Sequence, residues 1–68
     1  MKIEYDREAD ALYVTFKSCN VDHSSEVEEG VVLDFDGENH LVGVEILDAS
    51  RRLTKEELSR AEVSGIID

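Results

Sequence analysis

The chain has no proline and no tryptophan, a single cysteine and only seven basic residues among 68. Each scarcity removes a class of protein. One cysteine, Cys19, allows no internal disulfide and no multi-cysteine zinc site, and a lone thiol suits a reducing compartment. Few Lys and Arg, against 17 acidic residues and a net charge of −10, argue against a nucleic-acid surface, which needs clustered cations to displace counterions. The only basic pair, Arg51-Arg52, lies beside Asp48, Glu56 and Glu57. The same imbalance repels anionic membranes and would steer a basic protein partner to the surface. No apolar run nears the roughly 20 residues that span a bilayer. The polar opening MKIEYDREAD has no h-region, so an unprocessed, cytoplasmic protein without a signal peptide is expected. No Gly-rich phosphate loop follows any strand-like run.

What is present reads as a single domain over 1–68, of the α+β class. The expectation is a small antiparallel four-stranded β-meander made of two hairpins, with one short C-terminal helix packed on one face. Ile3 and Tyr5 alternate with charged residues and predict a strand at about 2–6. The run ALYVTF predicts another at about 10–16. If the two pair across Arg7–Ala9, Tyr5 falls opposite Ala11 and Ile3 opposite Tyr13, which makes the tyrosines neighbours. Ser18–Ser25 reads as a polar loop, and Glu26–Glu28 as a short extended piece ending at Gly30. The strongest signal is Val31–Phe35 and Leu41–Leu47 about a turn rich in Asp, Gly and Asn, a hairpin with strands at about 31–36 and 40–47. Gly43 within it marks a bulge or a close approach. Asp48 suits the cap of a first helical turn. Thr54-Lys55-Glu56-Glu57 matches a capping box, giving a helix at about 55–62 with Gly65 as its stop.

Both hairpins carry apolar residues on both faces in this reading, while Leu53, Leu58 and Ala61 form a thin helical stripe. Each large side chain left in water forgoes about 1.5–3 kcal/mol. Domains this small commonly need a staple or a partner. A homo-oligomer, with a dimer favoured, follows as the expectation.

Candidate chemistry is sparse. Asp34, Asp36, Glu38 and His40 alternate along the second hairpin, yet DFDGEN lacks the later ligands of a calcium loop, and Asp and Asn flank turns for local hydrogen bonding. Cys19 and His23 lie in a polar loop without an orienting third group or oxyanion donors. No catalytic residue, metal ligand or cofactor is assigned, and no enzyme is expected. The expected role is a non-catalytic protein-interaction module, with Tyr5, Tyr13, Asp34, Asp36, Glu45 and Asp48 as its candidate surface. The alternative is a small-ligand or divalent-metal module with its site at a dimer seam.

The residues Tyr5-Asp6, Ala9–Tyr13, Glu26-Val27, Gly30-Val31, Asp34, Asp36-Gly37 and Val42–Ser50 together form a pattern, YD…ADALY…EV..GV..D.DG…VG.EILDAS. It resembles a small prokaryotic family catalogued as domain of unknown function 2283. The resemblance implies an α+β fold with a short antiparallel sheet and a C-terminal helix. It carries no activity, cofactor or catalytic residue. It also implies an antitoxin-like partnership with a small toxin-like protein, which the acidic surface of this chain would suit if that protein is basic. The chain departs from DNA-binding antitoxins in having no basic or helix-turn-helix segment, so any neutralisation would work by direct protein contact.

Overall fold

The computed structural model describes residues 1–67, with side chains through Ala61. Five strands precede a helix: β1 (Lys2–Asp6), β2 (Ala11–Thr15), β3 (His23–Glu28), β4 (Val31–Phe35) and β5 (Leu41–Leu47). A 3-10 helix at Ala49–Arg51 follows, then α1 (Lys55–Ile67). All pairings are antiparallel, in the order β1-β2-β5-β4-β3. The fold is therefore α+β with a C-terminal helix. The expected four-stranded meander is corrected on two counts.

The first is the fifth strand. Residues 23–28, expected to be partly loop, pair with β4 from His23↔Phe35 to Glu28↔Val31, about a tight turn in which Gly30 adopts φ 82°. Their sequence, HSSEVE, is polar because every one of the six residues is exposed at the sheet edge. Edge pairing rests on backbone hydrogen bonds and needs no apolar row. The second correction is order. β2 pairs with β5 and not with β4, so β2 to β5 form a Greek key. The connection at residues 16–22 crosses three strand spacings, about 14 Å, well within the ~23 Å that seven extended residues reach. Phe16 N–H donates to Val42 O at 2.7 Å, Asp22 N–H donates to Phe35 O at 2.7 Å, and Lys17 Nζ bonds Asp36 Oδ2 at 2.6 Å. These contacts tack the crossing onto the β4–β5 end of the sheet. The longest strand, β5, takes the centre.

The register of the first hairpin also differs from expectation. Tyr5 pairs with Leu12 and Ile3 with Val14, while Glu4 pairs with Tyr13. Tyr5 and Tyr13 therefore lie on opposite faces and are not neighbours. The loop holds four residues, 7–10, because Asp10 adopts φ 52° and because Asp6 Oδ1 accepts from Glu8 N–H (3.0 Å) and Ala9 N–H (3.2 Å). Asp tolerates that left-handed conformation better than most residues. A one-residue slip exchanges faces throughout a strand. Here it gathers Ile3, Tyr5, Leu12, Val14, Val44, Ile46, Val31 and Leu33 on one side of the sheet. The other side carries Tyr13, Glu45, Asp34 and Ser24 together with Ala11, Val32 and Leu47, so apolar residues fall on both faces but in fuller rows on the first.

The helix starts at Lys55, where Thr54 and Glu57 close the capping box: Thr54 N–H donates to Glu57 Oε1 (2.8 Å) and Glu57 N–H to Thr54 Oγ1 (3.1 Å). It continues through Gly65 to Ile67, beyond the expected stop. Leu58 and Ala61 descend onto Leu12 and Ala49, with Ile3, Tyr5, Ile46 and Leu53 packed around them. Gly43 fits its crowded place for a steric reason: a Cβ there would lie 2.6 Å from Val14 O, next to the irregular step at Asp34/Phe35. Gly43→Ala should destabilise the protein by about 1–3 kcal/mol in urea titration, whereas Gly37→Ala, with nothing within 4 Å, should leave the midpoint nearly unchanged.

Candidate functional site

The expected surface residues separate into four places. Tyr5 lies on the helix side, half-buried, and its hydroxyl donates to Asp10 Oδ1 at 2.7 Å. Tyr13, Asp34 and Glu45 share the helix-free face of β2, β4 and β5. Asp36 closes the β4–β5 turn. Asp48 leaves β5 with φ 52° and lines an open cleft of about 390 Å³ with Gly30, Leu47 and Arg51. The structure thus brings three of the six together.

Sequence reasoning missed a long-range polar centre, Asp10. Its Oδ1 accepts from Tyr5 Oη and from Ser50 N–H (3.0 Å), its Oδ2 accepts from Ser50 Oγ (2.7 Å), and its carbonyl accepts from Ala49 N–H (2.9 Å). Asp48, expected to cap this turn, makes no side-chain cap bond. Asp10 does that work from 40 residues away, because the left-handed Asp48 turns the Ala49 and Ser50 amides toward it. The Ser50 hydroxyl, then Tyr5, hold the Asp10 carboxyl below its ordinary range. The signal available beforehand was the co-occurrence of Asp10 in ADALY with Ser50 in LDAS, whose pairing no local pattern reveals. This knot positions the 3-10 helix and, through Leu53 and Thr54, the start of α1. Beside it an open cleft of about 350 Å³ runs between Tyr5, Ser50, Lys55 and Leu58.

On the helix-free face Asp34 is only 8% exposed and accepts from Ser24 Oγ at 2.6 Å. Glu45 is held above the usual carboxylate range, first by its hydrogen bond with Asp34, then by partial burial and by the Asp34 charge. Two carboxyls on adjacent strands make an acidic patch flanked by Tyr13.

Asp36, Glu38 and His40 place one ligand atom each within 4.8 Å of one another. Asp36 is nevertheless fully engaged. Oδ1 accepts from the Glu38 and His40 amides, both at 2.9 Å, and Oδ2 takes the Lys17 ammonium. Lys17, foremost, drives the Asp36 carboxyl far below its ordinary range, and Asp36 in return raises the Lys17 amine. With the Lys17 ammonium on Oδ2 and two turn amides on Oδ1, Asp36 staples the β4–β5 turn to the connection after β2. Cys19 is exposed, and the His23 ring bonds Asp22 Oδ2 (2.9 Å) while stacking on Phe35 at 5.2 Å.

The knot at Asp10, the strand β5 and the Asp36 turn account in physical terms for the residues of the sequence pattern. Comparison with family models matches residues 2–50 to "Protein of unknown function (DUF2283)". The chain belongs to this family. Curated proteins and solved structures yield no significant match. In the DUF2283 chain the matched span ends at Ser50, the residue that bonds Asp10, and takes in the whole sheet but not α1. Among the described residues no helix is long and apolar enough to cross a membrane.

Two titrations follow with opposite signs. The Asp10 carboxyl is lowered on folding, so its stabilisation is present above the ordinary value of 3.8 and lost as pH falls through its folded pKa. Asp10→Ala should lower the melting temperature at pH 7, and the gap to the parent protein should close in strong acid. Glu45 is raised on folding, so its contribution is present below the ordinary value of 4.5 and lost as pH rises through the folded pKa. Glu45→Gln, which supplies a donor toward Asp34, should raise the melting temperature at pH 7–8 by roughly a few degrees. That gain should vanish near pH 4 in calorimetry.

Proposed function

We propose that this DUF2283 protein is a non-catalytic interaction module that associates with a second copy and offers its acidic surface to a basic protein. One observation carries the reading: the apolar core is unfinished. Among the described residues no large side chain is fully enclosed, and the buried set is Ala11, Leu12, Val42, Ala49, Leu58 and Ala61. α1 lies chiefly along β1. Val14, Val31, Leu33, Phe35 and Val44, on the same side of the sheet, are only half-buried. Phe16, Leu41 and Leu47 are 40–43% exposed, and Val21 and Val27 reach 50–56%. Burying such groups against another chain gains about 1.5–3 kcal/mol for each large one fully covered.

The net charge of −10 and the Asp34–Glu45 patch support a basic partner, since complementary potentials speed and select encounter. An antitoxin-like role, blocking a small basic protein by direct contact, is the specific form this reading takes. The engaged state of Asp36 weighs against the metal alternative.

Light scattering coupled to size exclusion at 0.15 M salt should give a mass that rises toward that of a dimer as protein concentration increases. A mass fixed at 7.6 kDa up to millimolar concentration would overturn the reading.

A further inference from the structure

We propose that the bare half of the helix-bearing sheet face, over β5, β4 and β3, is where a second copy of this chain docks, turned about a two-fold axis that runs parallel to β4 and passes above it. The inference deepens the self-association reading above and rests on it.

Charge limits what can cover this strip. On the helix side β5 and β4 carry Val44, Ile46, Val31, Leu33 and Phe35, none of them ionisable. The acids of the same two strands, Asp34 and Glu45, face the other way. In a chain of net charge −10, two copies repel wherever acidic surfaces meet, and least where neither face is charged. A basic partner is poorly served here, because its Lys or Arg would leave water with no counter-charge. The ionic rim is already paired within the chain. His23 bonds Asp22 and stacks on Phe35, and Glu28 meets Arg52 at 3.5 Å. The strip selects an uncharged apolar occupant.

Shape then singles out a second copy. α1 lies along β1, at one edge of the five strands, so the molecule has the profile of a step. The tread is the three bare strands, about 14 Å wide at the usual strand spacing. The riser is α1, about 10–12 Å across with its side chains. Two sheets pack face to face about 10 Å apart, so a sheet laid on the tread stands level with the helix and does not strike it. Turned about the stated axis, β4 lies over β4 of the second copy and β3 over its β5. Each α1 then stands beside the exposed β3 edge of the other copy. An axis at right angles to the strands would set α1 against α1 and hold the two strips apart.

Leu33, at the middle of β4, falls closest to the axis. One operation thus covers the half-buried Val31, Leu33, Phe35 and Val44 and screens the open edge, which natural sheets commonly cover with a helix or loop. The tread is small, about 14 by 17 Å, beside the roughly 800 Å² that each partner buries in a standard interface. A weak, concentration-dependent dimer is expected.

The test leaves one thiol per chain. In Cys19→Ser/Leu33→Cys the rate of maleimide labelling should fall as protein concentration rises through the dimerisation range. In Cys19→Ser/Thr15→Cys, on the helix-free face, it should stay constant. In a second arm with Cys19 intact, Leu33→Glu should weaken dimerisation about tenfold or more by sedimentation, with circular dichroism matched. Thr15→Glu, the same added charge on the other face, should change it by less than about twofold. A thiol at position 33 that added polylysine shields, and higher protein concentration does not, gives the strip to a basic partner and overturns the proposal. A dimer by light scattering that survives Leu33→Glu and leaves that thiol reactive overturns this face while leaving self-association standing. A monomer at every concentration overturns both.

Discussion

The Asp10 carboxylate fastens the turn of the first hairpin to the exit of β5, at one end of the β2–β5 ladder. It sits in the turn of the first hairpin, yet its partners are Tyr5 within that hairpin and the Ala49–Ser50 backbone at the exit of β5. β2 and β5 are separated in sequence by β3 and β4, so closing them against each other costs loop entropy that local hairpins avoid. A carboxylate accepting three hydrogen bonds at one end of that pair offsets the cost and sets the register. The geometry of α1 follows. The 3-10 helix hangs from Asp10, Leu53 packs onto the buried cluster, and the capping box begins the helix two residues after the 3-10 segment and its Arg52 cap.

A second constraint is thickness. One helix over one sheet gives a single apolar layer, and here its buried cluster is two alanines and two leucines. Ala49 and Ala61 allow the close approach of the 3-10 helix and α1, but they bury little area each. The larger residues of β4 and β5 remain half-covered because the capping geometry directs the helix along β1. The register slip at Asp10 matters doubly, since it concentrates apolar rows on one face and places Ser24, Asp34, Glu45 and Tyr13 on the other. The result is a sheet with one side richer in apolar residues and one that carries Asp34 and Glu45.

Much of the local structure was legible. The DG turn at Asp36-Gly37 carries its own staple, with Asp36 accepting two turn amides. Thr54 and Glu57 sit three residues apart, and their reciprocal bonds form as the spacing requires. Gly43 marked a crowded strand position, and the Val14 carbonyl explains the crowding. Less legible was β3, because HSSEVE has no apolar period and its pairing rests on backbone groups common to any sequence. The tyrosine pair was misread for a different reason: a four-residue loop with Asp10 in left-handed conformation looks, in letters, almost identical to a three-residue one.

Composition, turn chemistry and capping, which act over four or five residues, determined the α+β class, the acidic character, the hairpin strands and the first turn of α1. Strand order, the identity of the open face and the union of Asp10 with Ser50 were decided only in three dimensions. Each depends on contacts between residues 30 to 40 apart in the chain, whose energies arise from geometry that no short stretch of letters contains. Side-chain period marks which residues go together on a strand, but a single extra turn residue decides which side of the sheet they share.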